Sequence, residues 1–539
     1  MHWFREFQES YTLEHAQQFL FYGNTRDLFP SSVDQNALVD LDVFLLERLS
    51  AFQTVLTLDI GQGIEVLRGA EHLRGWSELP LLRERGASAR DYVERLHHLF
   101  VFLHHLERSS GVEAPSVALI IRDAHLLFPA DPGASNFHQG AAASLVKDWA
   151  RPRFAFTLLT CLFSDSLAQL HEVIRQNPFA RAVKVGLPSR EELRQWLEHR
   201  ASAFPLALAG TSPESLSAEL SGLTFQAMNR LLSRHEGKSL ALDAEAVFSW
   251  RRQSVEQASN GLISFLGRTK TLADYHSSNT ALLDMLVQDM RLFREGRSQA
   301  VPMGYLFCGP VGTGKTYLAE CLAGSAGVPA ITLRNFRDRW VGSSETNLET
   351  IFRLIEGLGR CIVFIDEADQ ALGKRQSDAG SGSEVSGRLY GMFAQFMANP
   401  DNRGRVLWVL ATSRPDQLEV DLKRPGRIDV KVPILPTLSE AEGYALIRAL
   451  FLRQGLELPV VRPEGLPIPE LLTPGAVATL SSAAFRRKQL FPESAPLAIL
   501  EHLLSGYLPP VDPEILTFQM KLALQEVTDR ALIPESLRN

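Results

Sequence analysis

The sequence predicts an α/β protein with parallel sheets, arranged as two successive modules that each run into a helical segment. Three observations carry this expectation. Short apolar runs alternate with helical patterns in both halves, as parallel α/β sheets require. The same order of four such runs occurs twice, and a glycine-rich string, GPVGTGKT at residues 309–316, stands between one run and a helical pattern.

At 539 residues the chain exceeds what one hydrophobic core usually serves, so several domains are expected. Hydrophobic residues make up 45% and charged residues 22%, which excludes a disordered or fibrous chain. The 62 acidic against 55 basic side chains leave a net charge of -7, which argues against a general nucleic-acid binder, since neutralising phosphates takes clustered Lys and Arg. Cys161, Cys308, Cys321 and Cys361 form no C-x-x-C pair and read as small apolar core residues in a reducing compartment. The N-terminal stretch carries charges throughout, and no segment approaches the ~20 apolar residues of a membrane span. A cytoplasmic protein without a membrane partner is the expectation.

In the first half, FLFY (19–22), TVLTLDI (54–60), SVALII (116–121) and FAFTLLTCLF (154–163) read as core strands. In the second, YLFC (305–308), AITL (330–333), CIVFI (361–365) and VLWVLAT (406–412) take the same order. Each fourth run has a similar exit, from Asn177 and from Arg424, into a mainly helical segment. The recurrence suggests an internal duplication, the alternative being two unrelated domains with a shared strand grammar. Residues 243–266 read as a helix ending near Gly261 that joins the halves, while 377–384 and 462–470 read as loops from their Ser/Gly and Pro content. The expected domains are an α/β module at 1–188, a small helical domain and linker at 189–262, a large α/β domain at 263–436 and a helical lid at 437–539.

GPVGTGKT fits G-x-x-x-x-G-K-[ST] in the strand-to-helix setting that gives the pattern its chemistry. Gly309, Gly312 and Gly314 let the backbone curl so that N–H groups point at phosphate oxygens, with Pro310, Val311 and Thr313 completing the loop and Tyr317 following it into the helix. Lys315 would reach the β- and γ-phosphates of ATP, and the Thr316 hydroxyl would ligate Mg²⁺. In CIVFIDEADQ a buried run delivers two carboxylates: Asp366 would hold Mg²⁺ directly or through water, and Glu367 would orient or deprotonate the attacking water.

Together these residues resemble the AAA family of ring-forming ATPases, over a stretch from about Gly267 to the C-terminus. The fold class implied is a P-loop NTPase (AAA+) parallel sheet with a helical lid. In RPGRID (424–429), Arg424 and Arg427 match the family's arginine fingers, which implies a ring, taken as a hexamer, whose neighbouring subunit completes each site. RWVGSSETNLETIF (339–352) resembles the pore-loop segment, so that Trp340, Val341 and Gly342 would face a central channel and grip a protein substrate; the alternative for Trp340 is packing in a core or a subunit interface. Ser413 stands where the family usually has an Asn sensor, retaining a donor of shorter reach, with Thr412 beside it. PGAVATL (474–480) resembles the lid's Gly-Ala segment, in which backbone groups of Gly475 and Ala476 would approach adenine or ribose.

The first half contrasts with this. GNTRDLF (23–29) lacks a Lys-Thr pair and LIIRDAH (119–125) has Arg122 where a Mg²⁺ ligand would be needed, so the module reads as AAA-like and inactive. This layout is similar to that of a group of AAA proteins from plastids and cyanobacteria. The resemblance implies ATP hydrolysis that remodels or translocates a protein; an ATP-dependent assembly switch or scaffold is the alternative, and a DNA-associated loader a more distant one. No H-E-x-x-H protease signature occurs.

Overall fold

Alternate side chains of the first apolar run part to opposite faces of a sheet, as a period of two requires. In β1 (Gln18–Gly23) Leu20 enters one buried cluster, while Phe19 and Phe21 enter another on the far face. A computed structural model describes the chain apart from residues 35–36, 83, 85–87, 111–112, 131–136, 153, 155, 268, 278, 335–343, 373–381 and 539. By its contacts the chain divides into two units, Met1–Gln257 with Glu345–Gly357, and Ala258–Ser344 with Leu358–Asn539.

In the first unit the expected runs become β1, β2 (Thr54–Asp59), β4 (Val117–Ile121) and β5 (Leu158–Ser164), joined by β3 (Gly63–Arg68) and β6 (Ala180–Val185). The sheet order is β3-β2-β4-β5-β1-β6, parallel except for β3, which pairs antiparallel with β2. β5 starts later than the expected 154. Phe154 and Phe156 instead pack on Phe100 of α1 (Ala89–Ser110), with ring centroids 5.8 and 6.2 Å away. Beyond β6 a separate helical core forms around α2 (Arg190–Arg200) and α3 (Phe225–Gly237), including Trp196, Phe225 and Leu231.

The expected joining helix ends sooner than Gly261, as α4 (Ala244–Ala258). Asn260 and Gly261 take left-handed φ of 51° and 75°, which no right-handed helix continues, and the chain enters the edge strand β7 (Ile263–Phe265). After α5 (Thr280–Glu295) come β8 (Gly304–Cys308), α6 (Lys315–Ala326), β9 (Ala330–Leu333), β10 (Cys361–Ile365), β11 (Val406–Thr412) and β12 (Val430–Pro433). Their order is β7-β9-β10-β11-β8-β12, again parallel save for an antiparallel edge, β7 on β9. The two sheets therefore share one strand order, although the antiparallel edge comes from a hairpin in the first and from the entering chain in the second.

The lid packs α7 (Glu440–Arg453), α8 (Pro474–Leu490) and α9 (Pro496–Ser505) around Ile447, Phe451, Val477 and Leu500. Its core stops short of the expected 539. α10 (Pro513–Gln525) returns to β8 and β12, and Leu532 joins the core beside the second sheet.

Candidate functional site

The site forms where β8 runs into α6. Gly309 is required there by close approach: a Cβ on it would lie 1.9 Å from the carbonyl oxygen of Ile434. Gly312 and Gly314 take φ of 82° and 84°, turning the loop into the N-terminus of α6, whose free N–H groups face the opening. The buried Thr313 donates its hydroxyl proton to the Pro310 carbonyl at 2.8 Å and stiffens the turn. Lys315 folds back over the loop, donating to the carbonyls of Gly309 and Pro310 at 2.9 Å each. Burial lowers its pKa to about 8, while Asp366 and neighbouring carboxylates oppose that shift. An ammonium so placed favours an incoming anion.

At the end of β10, Asp366 Oδ2 accepts a hydrogen bond from the Thr316 hydroxyl at 2.7 Å. Glu367 follows with φ 46°, a left-handed conformation costly for a residue with a Cβ, and its N–H donates to Asp366 Oδ1 at 3.0 Å. Thr316 and Asp366 are hard oxygen donors close enough to share one Mg²⁺. Among the described residues no group of three or more His, Cys, Asp or Glu forms a metal cage, so such an ion would draw its other ligands from phosphate and water.

Both carboxylates, Lys315, Thr316, Gly312, Gly314 and Val311 line a cavity of about 500 Å³, which lid residues Leu446, Leu450 and Gly475 close from the other side. Ser413 lines it too. The Thr412 hydroxyl does not stand free, since it donates to Asp369 at 2.5 Å and accepts from the Arg414 N–H at 2.9 Å. Thr412 and Ser413 both line the cavity, and the Thr412 hydroxyl is the one engaged in these two bonds.

The lid segment is tied to the loop. The Gly475 N–H donates to the Gly312 carbonyl at 2.9 Å and the Ala476 N–H to the Thr473 hydroxyl at 3.2 Å, so both donors are engaged. Ala476 is buried, whereas Gly475 and Ala478, three residues apart on one helical face, both line the cavity. Of the two residues expected to approach the nucleotide, Gly475 lines the cavity and Ala476 does not. Arg427 is held by Asp421, through its carbonyl at 2.8 Å and its carboxylate, and Arg424 lies 3.3 Å from the same carboxylate with its side chain 70% exposed. Neither lines this cavity. Trp340, Val341 and Gly342 lie outside the described residues.

Of one wall, the sequence indicated Tyr317 alone. Asp274, Tyr275 and His276 precede α5, and Arg453 reaches from the lid to bond the Tyr317 hydroxyl at 2.9 Å and the Asp274 carbonyl. Tyr275 and Tyr317 stack with centroids 6.3 Å apart, and the Lys270 ammonium lies 4.5 Å from the Tyr317 ring centre. Burial lowers the pKa of His276, favouring the neutral ring. The only sequence signal was an aromatic pair ahead of the helix cap Asn279.

The corresponding region of the first unit is filled from within. Arg26 pairs with Asp123 at 3.0 Å and Asp165 at 3.1 Å, and Arg122 pairs with Asp42. Asp123, like Glu367 the second residue past its strand, has φ 42° against 46°. Asp27 is 3% exposed and accepts from the N–H groups of Leu28, Phe225 and Gln226 and from Asn24. A side-chain carboxylate thereby occupies the N-terminus of α3.

Residues 305–435 match the family model described as ATPase family associated with various cellular activities (AAA). Residues 2–186 match that described as AAA+ chaperone, N-terminal Rossmann-like domain. Among curated proteins, the ATP-dependent zinc metalloprotease FtsH of Lancefieldella parvula is 34% identical over 165 residues, 30% of this chain and 26% of the relative. The protein of that name from Acidothermus cellulolyticus is 36% identical over 172 residues, 31% of this chain and 25% of the relative. Protein SAV of Sulfolobus acidocaldarius is 39% identical over 137 residues, 25% of this chain and 17% of the relative. The chain thus spans about a quarter or less of the length of these relatives.

Proposed function

With an AAA ATPase domain in its second half and an AAA+ chaperone N-terminal domain in its first, the chain belongs to the AAA+ family, and we infer that it hydrolyses ATP to remodel a protein substrate. The observation that carries the ATPase reading is the convergence of Lys315, Thr316, Asp366 and Glu367 on one cavity, under a lid tied to the loop through Gly475.

The loop N–H groups and Lys315 bind the triphosphate and bring its charge against the positive end of α6. Mg²⁺, held by Thr316 and Asp366, would neutralise charge on the phosphate oxygens. Glu367 takes the proton of the attacking water or orients it, and Ser413 donates to the γ-phosphate side. The base would lie against Tyr275 and Tyr317. Arg424 and Arg427, outside their own subunit's cavity, serve the site of the next subunit in a ring, read as a hexamer. The first unit, with Arg26 and Asp27 in place of a nucleotide site, acts as a fixed partner-facing or structural module. Trp340 and Val341 are assigned to gripping the substrate.

The chain has no H-E-x-x-H motif, so the zinc-protease activity in the relatives' name is not carried over. Two variants test the reading. Glu367→Gln should bind ATP, lose at least about a hundredfold of turnover and retain substrate; turnover at the wild-type rate removes Glu367 from its role. Trp340→Ala should keep basal ATPase and lose substrate processing. Unchanged processing would favour an assembly switch over a remodelling machine.

A further inference from the structure

The helix α10 meets three parts of the proposed ATP machinery, and none of the steps above uses it. Gln519 on this helix is a polar side chain only 7% exposed. Its Oε1 accepts a hydrogen bond at 3.1 Å from the N–H of Val311, in the phosphate loop. The ring of Phe518 lies 5.6 Å from the guanidinium of Arg414, whose own N–H is tied to the Thr412 hydroxyl next to Ser413.

Just past the helix, Glu526 binds Lys423 and, at 3.1 Å, Lys431. Burial works against its charge, yet the two ammonium groups hold its pKa below the ordinary value. Lys423 directly precedes Arg424, and Lys431 stands on β12 shortly after Arg427; Thr528 accepts from the Lys431 N–H at 3.1 Å. Gln519 and Glu526 are thus separated by about two helical turns, roughly 10 Å. A buried amide that lost its partner would cost about 1–3 kcal/mol, so the loop is pinned at Val311 rather than merely touched.

We propose that Gln519 is a positioning residue for the phosphate loop and that α10 ties this loop to the Arg424–Arg427 segment, so that ATP in one subunit sets the arginines offered to the next. The inference rests on the ATPase reading above. A rigid helix anchored at its middle by Gln519 and at its C-terminal end by Glu526 transmits a shift of the loop to the arginine segment.

The test is steady-state ATPase of the full chain, with KM for ATP and kcat resolved separately. Gln519→Leu keeps the burial and removes the acceptor, and should raise KM about fivefold, the effect of one net hydrogen bond, with kcat within twofold. Gln519→Asn withdraws the acceptor by one methylene and should move KM in the same direction. Glu526→Gln weakens the far anchor and should lower kcat severalfold with KM within twofold. KM unmoved in both Gln519 variants, or all three variants changing one and the same parameter, overturns the inference while leaving the ATPase reading intact. Absence of turnover in the wild type removes both.

Discussion

Truncating Asp27 in the first unit should open the joint between its sheet and its helical part. The Asp27 carboxylate accepts from the N–H of Phe225 at 2.9 Å and of Gln226 at 3.0 Å, the first residues of α3, besides Leu28 at 2.8 Å and Asn24 at 3.0 Å. The N-cap Thr224 serves Ala227, so in Asp27→Ala the donors of Phe225 and Gln226 lose their acceptor in a buried place. At about 1–3 kcal/mol for each orphaned donor, the loss is about 4 kcal/mol. For a unit of this size that lowers the melting midpoint by roughly 8–16 °C. Asp27→Asn, which keeps one acceptor, should lose about half as much.

Tryptophan emission reports on this unit, because Trp3, Trp76, Trp149, Trp196 and Trp250 belong to it and only Trp340 and Trp408 do not. Burial raises the pKa of Asp27 above its ordinary value, with its hydrogen bonds opposing. The native state then holds this proton more tightly than the unfolded chain, so the group's contribution is fullest below the unfolded pKa and declines as pH rises through the folded one. Asp27→Asn should lose that slope. A melting midpoint for Asp27→Ala within about 2 °C of wild type would refute the clamp.

Other outcomes follow from the second unit. With the Lys315 pKa at about 8, ATP binding near pH 9 should take up close to one proton as phosphate restores the ammonium, and much less at pH 6.5; calorimetry in buffers of different ionisation enthalpy measures this, and equal uptake in Lys315→Arg would exclude it. Gly309→Ala places a Cβ 1.9 Å from the Ile434 carbonyl oxygen and should destabilise the second unit by about 3 kcal/mol, read by chemical denaturation; a neutral substitution would mean that the strand gives way freely. Asp421→Ala frees Arg427 and Arg424 from their shared carboxylate and should reduce kcat in assembled protein about tenfold while sparing ATP binding; a rise in kcat would show that Asp421 restrains the arginines instead.

The strands were legible because burial writes itself into short apolar runs, and Lys315, Thr316, Asp366 and Glu367 because the first pair is contiguous at the start of α6 and the second just past the end of β10. Boundaries were less so. The 154–163 run gave its leading aromatics to α1, and the joining helix stopped at Ala258, before the left-handed Asn260 and Gly261 that lead into β7. The left-handed turn at Glu367 and its counterpart at Asp123 also escaped the sequence, because non-Gly residues, even the somewhat enriched Asp, take φ above zero only rarely.

What the sequence by itself determined is everything held within a few covalent bonds: the curled loop, the paired carboxylates, the arginine pair, and in the first half the lack of a Lys-Thr pair. Only the tertiary structure decided which distant groups would meet there. Phe225 lies 198 residues from Asp27, Gln519 lies 208 from Val311, and Arg453 lies 136 from Tyr317. Such partners have no spacing to read. They are brought together when apolar faces close over the sheets, and each buried polar group must then take the nearest donor or acceptor that the packing leaves within reach.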